Sequence, residues 1–496
     1  MNRLFLSLLL FSNLLTAQQI THGPVWGAVT ASQIRVYLRS SEPCPIQLLW
    51  STDSLFRQSE SVTDSTLAAQ DNSVVLTIQQ LKPHTTYYVK TGCGENLNGP
   101  VGRFTTFPIP GDTGEWIIVT GSCQETANMK VFDVMPKHNP LLLMHTGDFT
   151  YPDYQIKPNY ANNMDTVALA YRRRYEEKTM REMLHSLPID YMHDDNDYVG
   201  GSGGRYCKND FRAELRNGKV VNEMIAPEFP PHWRENVIRG YTQWFPHYDL
   251  PDTSEGIYHT FTVGNADFFV IDRNSAKAWP NMAAFRFDNK RKKWVFDPPP
   301  GYALFGKKQM DWLKEKIKTS TADWKFIVSG VPLNGACKKL IKGGLALQKL
   351  HWKNWFGFHI AWGFSQYWAA FPEERNDFMQ FLKTENINNV IVISGDTHHN
   401  VMDDGTNAGL PELNASGLSV ETTELARYLK LLGNLTWKWN MRKIWNKGGN
   451  GLSCKENKNA FGKIRIVGRQ FVELSIVDED NQTISQCVVP YKPQTR

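Results

Sequence analysis

The rhythm of apolar and polar positions changes near residue 108. From 20 to 107 the apolar residues fall into short β-type runs, at 33–39, 46–50, 73–78 and 86–91, divided by prolines and polar turns. Several short strands at this spacing predict a small β-sandwich. Pro108, Pro110 and Gly111 then read as a stiff link. Beyond it, strand-length apolar runs at 116–120, 141–145, 189–192, 268–271, 324–328 and 390–393 alternate with helical periodicity at 167–187, 307–317 and 373–384. In the last of these, Arg375, Phe378, Phe381 and Leu382 recur at three- and four-residue steps. Such alternation predicts a layered α/β domain. The chain has no internal repeat.

The start of the chain departs from this pattern. Met1, Asn2 and Arg3 precede an apolar run at 4–15 and the small-residue site Leu15-Thr16-Ala17. Residues 1–17 read as a cleaved signal peptide, which makes the mature chain secreted or periplasmic. The run is short against the roughly 20 residues of a membrane span, and an uncleaved signal anchor is the competing reading. Export permits disulfides among the seven cysteines, Cys44, Cys93, Cys123, Cys207, Cys337, Cys454 and Cys487. Seven is odd, so at least one stays free, pairs between chains or binds something; Cys123 is the one set aside. The 496 residues are 41% hydrophobic with a formal charge of +5. That composition is globular, gives no case for nucleic acid, and fits a monomer.

Chemistry gathers where these strands end. The run at 116–120 leads into Gly121-Ser122-Cys123-Gln124, the run at 141–145 into Gly147-Asp148-Phe149-Thr150-Tyr151, the run at 189–192 into Asp194-Asp195-Asn196-Asp197-Tyr198, and the run at 390–393 into Gly395-Asp396-Thr397-His398-His399-Asn400. Ligands of α/β sheets collect at the carboxyl ends of strands. Taken singly, a Gly-Asp is a turn, paired Asp residues are a solvated loop and a Cys after a strand is a small core residue; it is the repetition that points to metal binding. Thiolate and phenolate on one ion suit ferric iron or zinc better than calcium alone. Two cations about 3.5–4 Å apart on a bridging carboxylate would suit phosphoester hydrolysis. No Gly-x-Ser-x-Gly elbow or Walker-type loop competes.

These boxes, with Phe-Gly-Lys-Lys-Gln-Met-Asp-Trp-Leu at 305–313 and Trp-Lys-Phe-Ile-Val-Ser-Gly at 324–330, resemble the alkaline phosphatase D (PhoD-like) branch of the calcineurin-type metallophosphoesterases. The resemblance runs nearly end to end. It implies a fibronectin type III-like β-sandwich over 18–108, then a four-layer αββα domain over 112–490 whose ending at 461–489 reads as a β-hairpin. It implies Fe3+ and Ca2+, with Zn2+, Mn2+ or Mg2+ as alternatives. Carried over by position, Cys123, Asp148, Tyr151 and His398 would hold the iron, Asp148 would bridge, and Asp195 and Asp396 would face the second metal, with Asp194 a further candidate. Gly330, where the wider superfamily uses His, agrees with the PhoD-like branch.

The chain departs from that branch at Asn196, where a His is usual; Asn donates a hydrogen bond but delivers no proton. Either His399 or a metal-bound water substitutes, or esters with good leaving groups are preferred. Arg273 stands one position early for the family's Arg, and reads as a phosphate clamp or as an outward-facing structural residue. The stretch 351–368, with Trp352, Trp355, Trp362, Trp368, His351 and His359, reads as aromatics packing an insertion onto the core, or as a pocket wall. Residues 425–447 combine leucines at helical spacing with Arg427, Lys430, Lys438, Arg442, Lys443 and Lys447, and read as a docked helix or a membrane-contacting one. The expectation is an exported enzyme whose metal-bound hydroxide attacks the phosphorus of a phosphate mono- or diester, the alternative being a non-catalytic secreted binding protein on the same fold.

Overall fold

A computed structural model describes residues 18–126, 129–152, 159–198, 210–216, 219–225, 230–277, 279, 281–348, 356–419, 441–451 and 458–493. Residues 1–17, Cys207, Cys454 and 420–440 lie outside this set.

The N-terminal module is an antiparallel pair of sheets. One holds β1 (Ile20–Gly27), β2 (Ile34–Ser40) and β5 (Ser73–Ile78), and the other β3 (Pro45–Ser51), β4 (Glu60–Ser65), β6 (Thr86–Cys93) and β7 (Val101–Thr105). Strands β1, β4 and β7 escape the apolar rhythm: β4 is mostly exposed and β7 alternates exposed and buried positions. A disulfide joins Cys44 to Cys93, their Cα atoms 5.9 Å apart. Trp26, Phe104 and Phe107 share one apolar core with the larger domain, where Phe107 lies 6.3 Å from Phe261 between ring centres. Arg35 also bridges to Asp249 at 2.6 Å, so the two parts pack along a broad face rather than meeting only at the link.

The larger domain pairs two sheets. The first has the order β10 (Ile189–Tyr191), β9 (Leu142–His145), β8 (Glu115–Gly121), β22 (Ala460–Val467), β23 (Phe471–Asp478), β24 (Thr483–Pro490). The second runs β13 (His259–Val263), β14 (Ala266–Ile271), β17 (Trp324–Ser329), β18 (Val390–Ser394), β20 (Pro411–Ala415), β19 (His399–Asp404), β21 (Lys447–Gly451). Two separate ribbons, β11 (Asp210–Arg216) with β12 (Lys219–Ile225) and β15 (Phe285–Asp288) with β16 (Lys293–Phe296), complete the strands among the described residues.

Alternation along each strand explains the layering. Ile118, Met144, Phe268, Val270, Phe326, Val328, Ile391 and Ile393 fill the space between the sheets. Their neighbours Val119 and Leu143 face Val167, Tyr171 and Met180 of the helices Met164–Glu176 and Lys178–Leu184. On the far side Phe269, Ile327 and Val392 face Leu313 of Gly306–Thr319 and Phe378 of Pro372–Thr384. Strands buried on both faces read as near-continuous apolar runs, which is why 390–393, and 324–328 apart from Lys325, stand out in the sequence.

Three expectations are corrected. The helical pattern at 167–187 is two helices, interrupted where Glu177 turns to extended backbone (φ −62°, ψ 126°). The ending is three antiparallel strands, β22 to β24, because Thr483–Pro490 returns to pair with β23 after the hairpin. In the basic segment, 425–440 fall outside the described residues, while Met441–Lys443 is a 3-10 turn and Lys447 opens β21, paired to β19, so its end is built into a sheet and not a helix. No helix among the described residues is long and apolar enough to cross a membrane.

Candidate metal centre

The parallel strands β8, β9 and β10 and the parallel strands β14, β17 and β18 all deliver their carboxyl ends to one edge. The loops after β8, β9 and β18 then turn sharply. Cys123 (φ 60°), Asp148 (φ 57°), Tyr151 (φ 45°), Asp396 (φ 71°) and His398 (φ 55°) all adopt left-handed backbone, which is uncommon for residues with a Cβ. Such conformations each cost about 1–3 kcal/mol and gather where a site is held in shape by its surroundings. Gly147 is required at its turn: with φ 102°, a Cβ there would stand 2.4 Å from Cβ of Asp194.

Asp148 is the centre of the arrangement. Its Oδ2 accepts from the Tyr151 hydroxyl at 3.2 Å and from the Asn196 side-chain amide at 2.9 Å, and its Oδ1 accepts from the Asn196 backbone N–H at 3.1 Å. Cys123 Sγ lies 3.6 Å from the same Oδ2 and 3.1 Å from Ser416 Oγ. Two triads share this carboxylate. One ligand-capable atom from each of Cys123, Asp148 and His398 falls within 4.8 Å of the others, and so does one from each of Asp148, Asp194 and Asp195.

Arg273 follows β14, fully buried, and its Nε lies 2.7 Å from Asp194 Oδ1, with Nη2 3.8 Å from both Asp195 and Asp396. An outward-facing role is thereby excluded; Nε and Nη2 face carboxylates, while Nη1 is buried without a hydrogen-bond partner. Asp396 stands outside both triads; its Oδ2 accepts from Gln366 Nε2 at 2.8 Å. His399 begins β19, buried, with Nε2 unpartnered. Gly330 sits where an added Cβ would come within 3.1 Å of the Asp194 carboxyl, so a side chain there would crowd the second triad.

Burial and crowding of like charge set the ionisation. Burial, then the Asp396 charge, pushes the Cys123 thiol up to about 12. Burial and Asp195 hold Asp148 well above the carboxylate range, and burial and Asp148 do the same to the Tyr151 phenol. Burial raises Asp194 strongly against the opposing pull of Arg273, and raises Asp396 to about 6 against the same residue. Burial, helped by His398, drops His399 to about 3. Thiol, phenol, imidazole and four carboxyl groups gathered with little solvent are a donor set that a multivalent cation fits, since a cation would draw the raised thiol, phenol and carboxyl values back down. Asp194 Oδ2, buried and unpartnered, is one acceptor such an ion would satisfy.

Comparison with known proteins adds the lineage. The family profile described as PhoD-like phosphatase matches residues 117–426. The chain belongs to the PhoD-like phosphatase family. Alkaline phosphatase D of Bacillus subtilis (strain 168) is 24% identical over 360 residues, a stretch covering 66% of this chain and 53% of that protein, about half its length. Among solved structures, PhoD superposes with a TM-score of 0.66 at 17% identity, covering 94% of this chain and 90% of that one. A purple acid phosphatase from yellow lupin (Lupinus luteus) seeds gives a TM-score of 0.53 at 11% identity, covering 95% and 74%. At these identities the structural likeness speaks for the fold of this PhoD-like chain.

Sequence reasoning missed three contributors. Asp197 accepts from the backbone N–H groups of Phe149 (2.9 Å), Thr150 (2.7 Å) and Asp194 (3.2 Å) and from the Thr150 hydroxyl (2.8 Å), so it fixes the loop carrying Asp148 and Tyr151. Ser416, next to Cys123 Sγ, also accepts from the His398 backbone N–H at 3.0 Å. Its position just past β20, at the carboxyl end of another strand, was the available signal. Gln366 belongs to the aromatic insertion, where nothing in the pattern marks it. Trp368 of that insertion is buried, its Nε1 donating to Glu374 at 2.9 Å, as the packing reading expects; 351–355 lie outside the described residues.

Proposed function

We propose that the chain is an exported phosphoester hydrolase working with two metal ions that share Asp148. The observation that carries this reading is the membership of Asp148 in both ligand-capable triads. Cys123, Tyr151 and His398, with Asp148, would hold the first ion, for which ferric iron is the choice that thiolate and phenolate favour. Asp148 with Asp195 and Asp194, and with Asp396 nearby, would hold the second, calcium by preference for oxygen donors, with zinc, manganese or magnesium as substitutes. Bound metals at such a site neutralise phosphoryl oxygens and supply an activated water at neutral pH.

The chain's own residues set the rest. Asn196 directs both its side-chain and backbone N–H to Asp148, so it orients the shared carboxylate. It delivers no proton to a leaving group, and esters with good leaving groups are the favoured substrates on that account. Arg273 offsets the charge of Asp194 and buffers the site against its own repulsion. The seven strands of the N-terminal module, divided three and four, support the fibronectin type III-like assignment. Export rests on the apolar run at 4–15 and the small-residue site at 15–17.

Elemental analysis of the purified chain, with hydrolysis of p-nitrophenyl phosphate and its bis-ester in the presence of calcium, tests the reading. Asp148→Asn should lose bound metal and at least about a hundredfold in turnover, the scale of removing transition-state charge stabilisation. Unchanged metal content and turnover in that variant would refute the shared carboxylate.

A further inference from the structure

The insertion between β17 and β18 reaches the metal centre through two adjacent residues, Gln366 and Tyr367, both buried. Gln366 donates Nε2 to Asp396 Oδ2 at 2.8 Å, and the Tyr367 hydroxyl faces the same carboxyl. The other oxygen, Oδ1, is the one that Arg273 Nη2 faces at 3.8 Å. Asp396 is therefore gripped on one side by neutral donors and left open on the side of the second triad. Gln366 Oε1 is buried with no hydrogen-bond partner, although leaving a buried amide oxygen unpaired is destabilising. Water in the hydration shell of a hard cation is a donor that would satisfy it.

We propose that Gln366 and Tyr367 are positioning residues for the second metal: they hold Asp396 with Oδ1 free and thereby set the affinity of the dissociable divalent cation. Backbone geometry alone does not do this, because Asp396 follows Gly395 and sits in left-handed backbone (φ 71°), so its side chain is steadied by contacts from outside its own turn. Neutral donors suit the task. They steady the carboxylate without competing for its charge as a second Arg would, and partners of this kind beyond the ligands change metal affinity about 10–100-fold when removed. This inference rests on the two-metal reading above and deepens it by assigning the aromatic insertion a part in the site.

The test is calorimetric titration of calcium, and separately of manganese, into the full-length chain after chelation, for wild type, Gln366→Leu, Tyr367→Phe and the double variant. The proposal expects weaker cation binding by about tenfold in each single variant and more in the double, with thermal melting of the cation-free proteins unchanged and iron content equal. Activity lost in the variants should return at raised calcium concentration, which a merely damaged fold would not allow. Equal cation affinity in wild type and all variants would overturn the proposal while leaving the two-metal reading intact. If a variant misfolds, Tyr367→Phe, which keeps the ring, carries the comparison. Failure of the wild type itself to bind a divalent cation would instead remove the reading on which the proposal stands.

Discussion

Asp197 offers the sharpest test of how the site is built, because it is a buried carboxylate placed outside both triads. Its Oδ1 accepts from Phe149 N–H, Thr150 N–H and the Thr150 hydroxyl, while Oδ2 lies 3.1 Å from Phe149 N and 3.2 Å from Asp194 N. Asp197→Ala leaves three backbone N–H groups without an acceptor; the hydroxyl can rotate to another partner. At about 1–3 kcal/mol per orphaned buried donor, and allowing for relaxation, the loss is about 3–6 kcal/mol. That is a large share of the 5–15 kcal/mol typical of a folded domain. Asp197→Asn keeps the Oδ1 bonds but turns an NH2 toward Asp194 N, so it should lose only about 1–3 kcal/mol. Urea unfolding followed by tryptophan fluorescence would rank the two against wild type, and metal content measured on the folded fraction should fall in the same order, since the loop bearing Asp148 and Tyr151 is what Asp197 ties down. A loss below about 1 kcal/mol in Asp197→Ala, with metal content unchanged, would refute this account.

Other outcomes are equally definite. Asn196→His should raise turnover on alkyl esters, whose leaving groups need a proton, more than on p-nitrophenyl esters; an equal change on both would mean that Asn196 does not limit leaving-group departure. Glu412 is buried beneath the site, accepting from Ser394 Oγ at 2.6 Å and Leu333 N–H at 3.0 Å, and burial raises it from its ordinary 4.5 to about 8. Because the folded state holds this proton more tightly than the unfolded one, stability is fully present below pH 4.5 and falls as pH rises toward 8. The sum is on the order of 4–5 kcal/mol. Glu412→Gln should flatten that part of the melting-temperature profile between pH 5 and 9, and a profile identical to wild type would show the group ionising without penalty.

Much of the fold was legible because burial on both faces leaves a nearly unbroken apolar run. The strands at 324–328 and 390–393 are covered by the inter-sheet core on one side and by helices on the other, so 390–393 is wholly apolar and 324–328 is broken only by Lys325, whose ammonium donates back to the Ala322 carbonyl at 2.7 Å. Strands that lack such cover were invisible: β4 is largely exposed and β24 alternates weakly, which is how a three-stranded ending passed for a hairpin. The break at Glu177 was hidden for a different reason. Helical periodicity continues through it, with Met180, Met183 and Leu184 buried like Val167 and Tyr171, because both helices face the same sheet.

At the candidate site the sequence carried the candidate ligand types but not the restraints on them. Cys123, Asp148, Asp396 and His398 were legible from their position after strands, since a turn at the end of a parallel strand must project its first side chains over the sheet edge. What holds them there comes from elsewhere in the chain: Asp197 from the third turn, Ser416 from beyond β20, Gln366 and Tyr367 from an insertion that reads as hydrophobic packing. Five ligand candidates in left-handed backbone would relax toward ordinary turns if nothing opposed them. The opposing contacts are long-range hydrogen bonds, such as the one from Gln124 Nε2 to the Phe149 carbonyl at 3.2 Å that joins the Cys123 and Asp148 loops. Pairings of this kind have no period and no local signature. The chemistry of the centre is therefore written in short boxes, whereas its geometry is fixed by residues that only the folded chain brings beside them.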